Sequence, residues 1–94
     1  MIFEWDEDKE IANFAKHKVN FEEAKTLFND PLLLTFPDTA HSEDEIRFIT
    51  IGISANGSVL VLIHAERGNK IRIISCRKAT KNERRFYEQK NIIK

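Results

Sequence analysis

Three β-branched and aliphatic runs dominate the second half of this chain: Glu45–Ser54, Ser58–Glu66 and Lys70–Arg77. They are separated by Asn56-Gly57 and Gly68-Asn69. Such dipeptides supply the positive φ angles of tight hairpin turns, and runs of this length between them read as strands. Consecutive strands joined by tight turns must pair antiparallel, so this half is expected to be a meander. Leu32–Phe36 adds a short edge strand stopped by Pro37, followed by a polar loop over Asp38–Asp44.

The first third reads differently. Ile2-Phe3-Glu4-Trp5 alternates as a short strand. Asp6 is a suitable N-cap for a helix to about His17, with Ile11, Phe14 and Ala15 on its inner face. Lys18-Val19 forms a corner. Asn20 then caps a second helix, with Glu23 at the capping-box position and Phe21, Ala24, Leu27 and Phe28 at helical spacing. Asp30-Pro31 ends it, because proline disfavours helix in the residue before it. Thr80-x-x-Glu83 is a second capping box, opening a basic helix to about Lys90.

The order β-α-α-β-β-β-β-α predicts a single α+β domain over residues 1–94. Its antiparallel sheet would be packed with two N-terminal helices and one C-terminal helix. An apolar share of 41% suffices for one modest core. Cys76, the only cysteine, has no internal disulfide partner and lies in an apolar run, which reads as a buried, inert thiol in a reducing compartment. The opening residues turn acidic at once, and no stretch approaches the roughly 20 apolar residues of a bilayer span. A cytoplasmic protein with no membrane partner is expected.

The net charge of zero hides a division. Residues 1–57 carry twelve acids and five bases, net −7; residues 58–94 carry ten bases and three acids, net +7. The basic half would attract polyanions and the acidic half a basic partner, unless both are simply solvated faces.

The densest group of chemistry-bearing residues is His64-Ala65-Glu66-Arg67-Gly68-Asn69-Lys70-Ile71-Arg72, followed by Arg77-Lys78. RNA cleavage by 2′-hydroxyl attack needs cations for the phosphate and its developing charge, a base for the hydroxyl proton and an acid for the leaving oxygen. Arginine suits the first task through its donor fork. Glu66 or His64 is the candidate base; otherwise Glu66 pairs across the turn and His64 is a satisfied core histidine. If Gly68-Asn69 is a two-residue turn, Arg67 pairs with Lys70 and His64 with Ile73. Alternation then places His64, Glu66, Ser75 and Arg77 on one face.

The last helix offers Lys81, Arg84, Arg85 and Lys90 with Phe86 and Tyr87 interleaved, a pattern that can grip phosphate and stack on bases. Phe86 could equally anchor the helix, while the Tyr87 hydroxyl is open as donor or acid. Asp38-x-x-His41 is too sparse to define a metal site, and no metal or other cofactor is expected. His17 at a helix end is satisfied by the helix dipole, although folding could bring Lys16-His17 near the sheet.

Several short motifs share their order with a known family. Phe3-Glu4-Trp5-Asp6 with Lys9, Asn13, Lys16-His17 and Phe21-Glu22-Glu23-Ala24 resemble the opening of BrnT-type toxins. Phe28-x-Asp30-Pro31, Asp38 with His41-Ser42, Glu45, Arg47 and Ile51-Gly52 continue the likeness. Its clearest part is Glu66-Arg67-Gly68, Ile71–Ser75, Arg77-Lys78-Ala79-Thr80 and Glu83-Arg84-x-x-Tyr87-Glu88. Lys18 stands where the family commonly has glycine, and Cys76 where alanine is frequent.

The resemblance implies a RelE-like fold and a metal-independent ribonuclease that inhibits translation. It also implies a BrnA-type antitoxin, whose ribbon-helix-helix part would bind operator DNA. It directs attention to Glu66, Arg67, Arg72, Arg77 and Lys78. With the residue chemistry, it makes Glu66, Arg67, Arg77 and His64 the candidate catalytic set. Arg72, Lys70, Lys78, Lys81, Arg84, Arg85 and Tyr87 are then the candidate RNA contacts. The competing reading is a non-catalytic module that binds nucleic acid or the antitoxin.

Overall fold

The computed structural model describes residues 1–42 and 45–92; Glu43 and Asp44 of the polar loop and the C-terminal Ile93 and Lys94 lie outside them. The elements follow the expected order: β1 (Ile2–Glu4), α1 (Glu7–His17), α2 (Phe21–Lys25), β2 (Leu34–Pro37), β3 (Arg47–Ile53), β4 (Val59–Arg67), β5 (Lys70–Lys78) and α3 (Lys81–Ile92). The second helical segment is shorter than its apolar spacing suggests. After Lys25 it tightens into a 3₁₀ turn over Thr26–Asn29.

The strands form one sheet in the order β1-β5-β4-β3-β2. The meander β2 to β5 is antiparallel throughout, and β1 joins the outer edge of β5 in parallel. One sheet face is covered by α1, α2 and the 3₁₀ turn. There Val19, Phe21, Ala24 and Leu27 pack on Leu60, Leu62, Ile73 and Cys76, with Phe3, Trp5 and Phe28 at the margin. The opposite face is partly covered by α3, whose Tyr87 packs with Ile51 and Val61 against Leu34, Ile49, Val59 and Ala79. Cys76 is buried, and burial pushes its thiol up to about 12, so it is an inert core group.

Helix α1 does not turn its apolar residues inward. Ile11 and Phe14 are exposed, whereas Asn13 is buried. The Asn13 amide donates to Val19 O at 3.0 Å and Cys76 O at 2.9 Å, and its oxygen accepts from Cys76 N at 3.0 Å. Glu10, one turn earlier, accepts from Trp5 Nε1 and Phe21 N. The helix is thus tied to β5 and to the next segment by polar side chains, and those contacts set its rotation. Asp6 caps its start by accepting from Lys9 N, and Lys18 closes it in the left-handed region at φ 60°. Asn20 caps α2 as expected, but Glu23 hydrogen-bonds Ser54 Oγ at 2.7 Å instead of reaching back. The Thr80–Glu83 box of α3 is reciprocal: Thr80 N donates to Glu83 Oε1 and Glu83 N to Thr80 Oγ1.

The decisive irregularity lies between β4 and β5. Arg67 faces Lys70 and His64 faces Ile73, as the turn predicts, but Ile63 faces Ser75. Ile74 is therefore the extra residue of a β-bulge, and every side chain beyond it changes face relative to simple alternation.

Candidate functional site

The bulge redistributes the candidate residues. Register places His64 and Glu66 on the α1/α2 side of the sheet with Ile71, Ile73 and Cys76. On the other side, successive rungs read Leu34–Ile51–Val61–Arg77, then Phe36–Ile49–Ile63–Ser75, then Arg47–Ala65–Arg72–Glu4, and last Arg67–Lys70–Ile2. The expected grouping of His64, Glu66, Ser75 and Arg77 is corrected: Ser75 and Arg77 join Arg47, Arg67, Lys70 and Arg72. Helix α3 covers the apolar end of this face, leaving the arginine end open.

Each of three arginines there meets a carboxylate. Arg67 donates through Nε to Glu45 at 2.9 Å and through Nη2 at 3.2 Å, a two-pronged contact. Arg72 lies 3.7 Å from Glu4 on the neighbouring parallel strand. Arg77 donates to both oxygens of Glu83, at 2.7 and 2.9 Å. The hydrogen bond from Arg67 holds the Glu45 carboxyl below its ordinary value against the opposing effect of burial, with the charges of Arg67, Arg47 and Arg72 adding to the lowering. Glu83 is lowered to about 2, chiefly by Arg77. The arrangement is a cationic strip in which Arg67 and Arg77 are oriented by the chain's own carboxylates, their donors already forked toward oxygen acceptors, while Arg72 makes a looser ion pair.

Other candidates fall elsewhere. His64 is 1% exposed, between the rings of Phe28 and Phe48. Its Nε2 is 2.8 Å from Thr50 Oγ1, which in turn meets Thr35 Oγ1 at 2.8 Å. Burial lowers its pKa to about 4. It is the core histidine of the two readings, closed off from solvent, paired through Nε2 while its buried Nδ1 has no hydrogen-bond partner among the described residues. Glu66 is exposed but emerges on the opposite side of the sheet from the arginines, beside Gly68, Asn69 and Ile71. Lys78 shares Leu60's face at the far end of β5.

Tyr87 is 4% exposed and donates its hydroxyl to Asp30 Oδ2. Burial and that carboxylate both raise its pKa well above the ordinary tyrosine value. Tyr87 is the buried anchor of α3, and Phe86 is the ring left partly exposed. Lys81, Arg84 and Arg85 are exposed on α3. Glu83, Tyr87 and Asn91, spaced four apart, face inward; Phe86 and Lys90 lie on one flank of that stripe and Arg84 on the other.

Arg47, Glu4 and Glu45 escape the sequence-derived site. The adjacent Ile73-Ile74 pair, which interrupts alternation, is the signal that could have revealed the bulge and with it the face of Ser75. Glu45 and Glu4 come from segments distant in sequence, and no local pattern joins them to Arg67 and Arg72.

Fold and face together define a class, a small α+β domain with one strongly cationic, partly uncovered sheet face. The chain matches the sequence profile of the ribonuclease toxin, BrnT, of type II toxin-antitoxin systems over residues 5–83, and it belongs to that family. Among solved structures it is similar to the Brucella abortus ribonuclease toxin BrnT. That likeness has a TM-score of 0.67 at 24% identity and covers 86% of this chain and 100% of that one. Among curated proteins, none matches this chain in sequence. No described helix is long and apolar enough to cross a membrane.

Proposed function

We propose that this chain is a metal-independent endoribonuclease toxin that arrests translation and is neutralised by a BrnA-type antitoxin. The observation that carries the reading is the bulge-built face, which Arg77 shares with Arg47, Arg67, Lys70 and Arg72. RNA lies on this face with its scissile phosphate among the guanidiniums. They bind the ground-state charge and the additional charge of the transition state, a task that needs no metal. An incoming phosphate competes with Glu4, Glu45 and Glu83 for the same donors. A Glu45 carboxylate released from Arg67 regains an ordinary pKa and becomes a better base for the 2′-hydroxyl, which makes Glu45 the first candidate for that role; Glu4, beside Arg72, is the second by position alone. Glu66, on the opposite side of the sheet, and the enclosed His64 take no part in the reaction. The antitoxin covers part of the basic surface, including Arg84 and Arg85.

The test is induction in cells with and without the neighbouring gene product, followed by mapping of RNA ends. Growth arrest with new RNA ends, both lost in Arg72→Ala and Arg77→Ala proteins that remain folded, is the expected result. Each substitution should slow cleavage about 100-fold or more, the usual consequence of removing one donor to a developing oxyanion. Healthy growth with intact RNA from folded protein would leave a non-catalytic binding module.

A further inference from the structure

Where α3 crosses the edge of the sheet, two large aromatic rings remain partly exposed. Phe36 on β2 and Phe86 on α3 are each 37% exposed, with ring centroids 5.7 Å apart and planes inclined by 48°. The tilt means they do not seal one another as a flush stack would. Lys90 Nζ stands 5.6 Å from the Phe86 centroid. Phe36 belongs to the rung next to the one carrying Arg47 and Arg72. One strand and one rung separate the Cα atoms of Phe36 and Arg47, about 8 Å in a regular sheet. The rings therefore border the cationic strip.

We propose that Phe36 and Phe86 form a nucleobase-stacking subsite, taking one unpaired base of an RNA whose phosphates lie on the arginines. The proposal rests on the reading that RNA occupies this face. Exposed aromatic surface framed by Arg47 and Lys90 fits a ligand that is both aromatic and polyanionic, and single-stranded nucleic acid has that chemistry. An apolar peptide would leave those cations without partners. The subsite discriminates between strands and duplexes more than between bases, because every base offers a π-face and a paired base does not present it. Lys90 is placed to meet a phosphate flanking the stacked base.

The experiment measures binding of 2′-O-methyl single-stranded RNA, which cannot be cut by 2′-hydroxyl attack, and separately cleavage of the all-ribose strand. The proteins are wild type, F36L and F86L; leucine keeps apolar packing and removes the π-face. A set of oligonucleotides carrying one abasic nucleotide at successive positions probes the same contact from the RNA side and requires no variant. Each leucine variant should weaken binding by about tenfold, and one abasic position should weaken the wild type similarly while costing F86L little more. Undiminished affinity of both folded variants, or an abasic loss that persists in full in F86L, would overturn the subsite, and a peptide-docking role for these rings would give that result. A wild type that shows the stacking signature yet leaves all-ribose RNA intact sinks the nuclease reading alone. Cleavage with stacking-indifferent binding sinks the subsite alone.

Discussion

The imidazole of His64 is enclosed by Phe28 and Phe48, with Thr50 as partner to Nε2, and it stays neutral because burial lowers its pKa to about 4. The unfolded chain binds a proton near pH 6.5 and the native chain does not, so stability is fully present above that value. It falls as pH drops toward 4, by roughly 3 kcal/mol at the lower limit. Urea unfolding between pH 7 and 4.5 should show this loss, and His64→Gln, which can still reach Thr50, should flatten it. Glu83 loses its contribution only at lower pH, as its carboxyl is protonated between about 4.5 and 2, so the two effects separate in pH. Lys18 holds φ 60° at the end of α1. Lys18→Gly removes the Cβ from that left-handed position and should raise stability by about 1 kcal/mol, seen as a higher melting temperature.

Among the elements, α1 and α3 are both positioned by a few polar ties. Three buried hydrogen bonds from the Asn13 side chain join α1 to Cys76 and Val19. Asn13→Ala leaves those backbone groups unpaired in a dry site and should destabilise the protein by about 2–4 kcal/mol by chemical denaturation, more than most single apolar truncations on the surface of that helix. α3 is held at one end by the Arg77–Glu83–Thr80 group and midway by Tyr87 on Asp30. Burial raises the Asp30 carboxyl, but hydrogen bonds from Tyr87, Ile53 N and Leu32 N outweigh it and hold it below its ordinary value. Gly52 allows this approach, since a Cβ there would lie 3.3 Å from Asp30 Oδ2. Tyr87→Phe should cost about 1–2 kcal/mol and raise hydrogen exchange in α3 before the meander is affected.

For the whole molecule, charge separation along the chain becomes charge placement in space. The carboxylates Glu4 and Glu45 come from the acidic half and meet Arg72 and Arg67 from the basic half, so the division is partly neutralised at the site. RNA affinity should decrease steeply with salt through phosphate contacts. Arg84→Glu with Arg85→Glu should weaken antitoxin binding and its salt dependence, as titrations at two ionic strengths would show. Cleavage by the wild type should be unchanged by EDTA, because guanidiniums carry the charge stabilisation in the proposed reaction.

The meander, the two caps at Asp6 and Asn20, the reciprocal Thr80–Glu83 box and the arginine-rich second half are all local in origin. Turn chemistry, capping and strand propensity act over a few residues, so the sequence itself determined them. It also indicated the family, through motifs spread along nearly the whole chain. The tertiary structure decided which face each side chain occupies. A single extra residue at Ile74 moved Ser75 and Arg77 across the sheet, and pairing with β1 brought Glu4 to Arg72. Likewise the inward turn of Asn13, the burial of His64 and Tyr87 and the exposure of Phe86 depend on what packs opposite them. Alternation and helical spacing specify only relative directions; the absolute direction is set by partners far away in the chain.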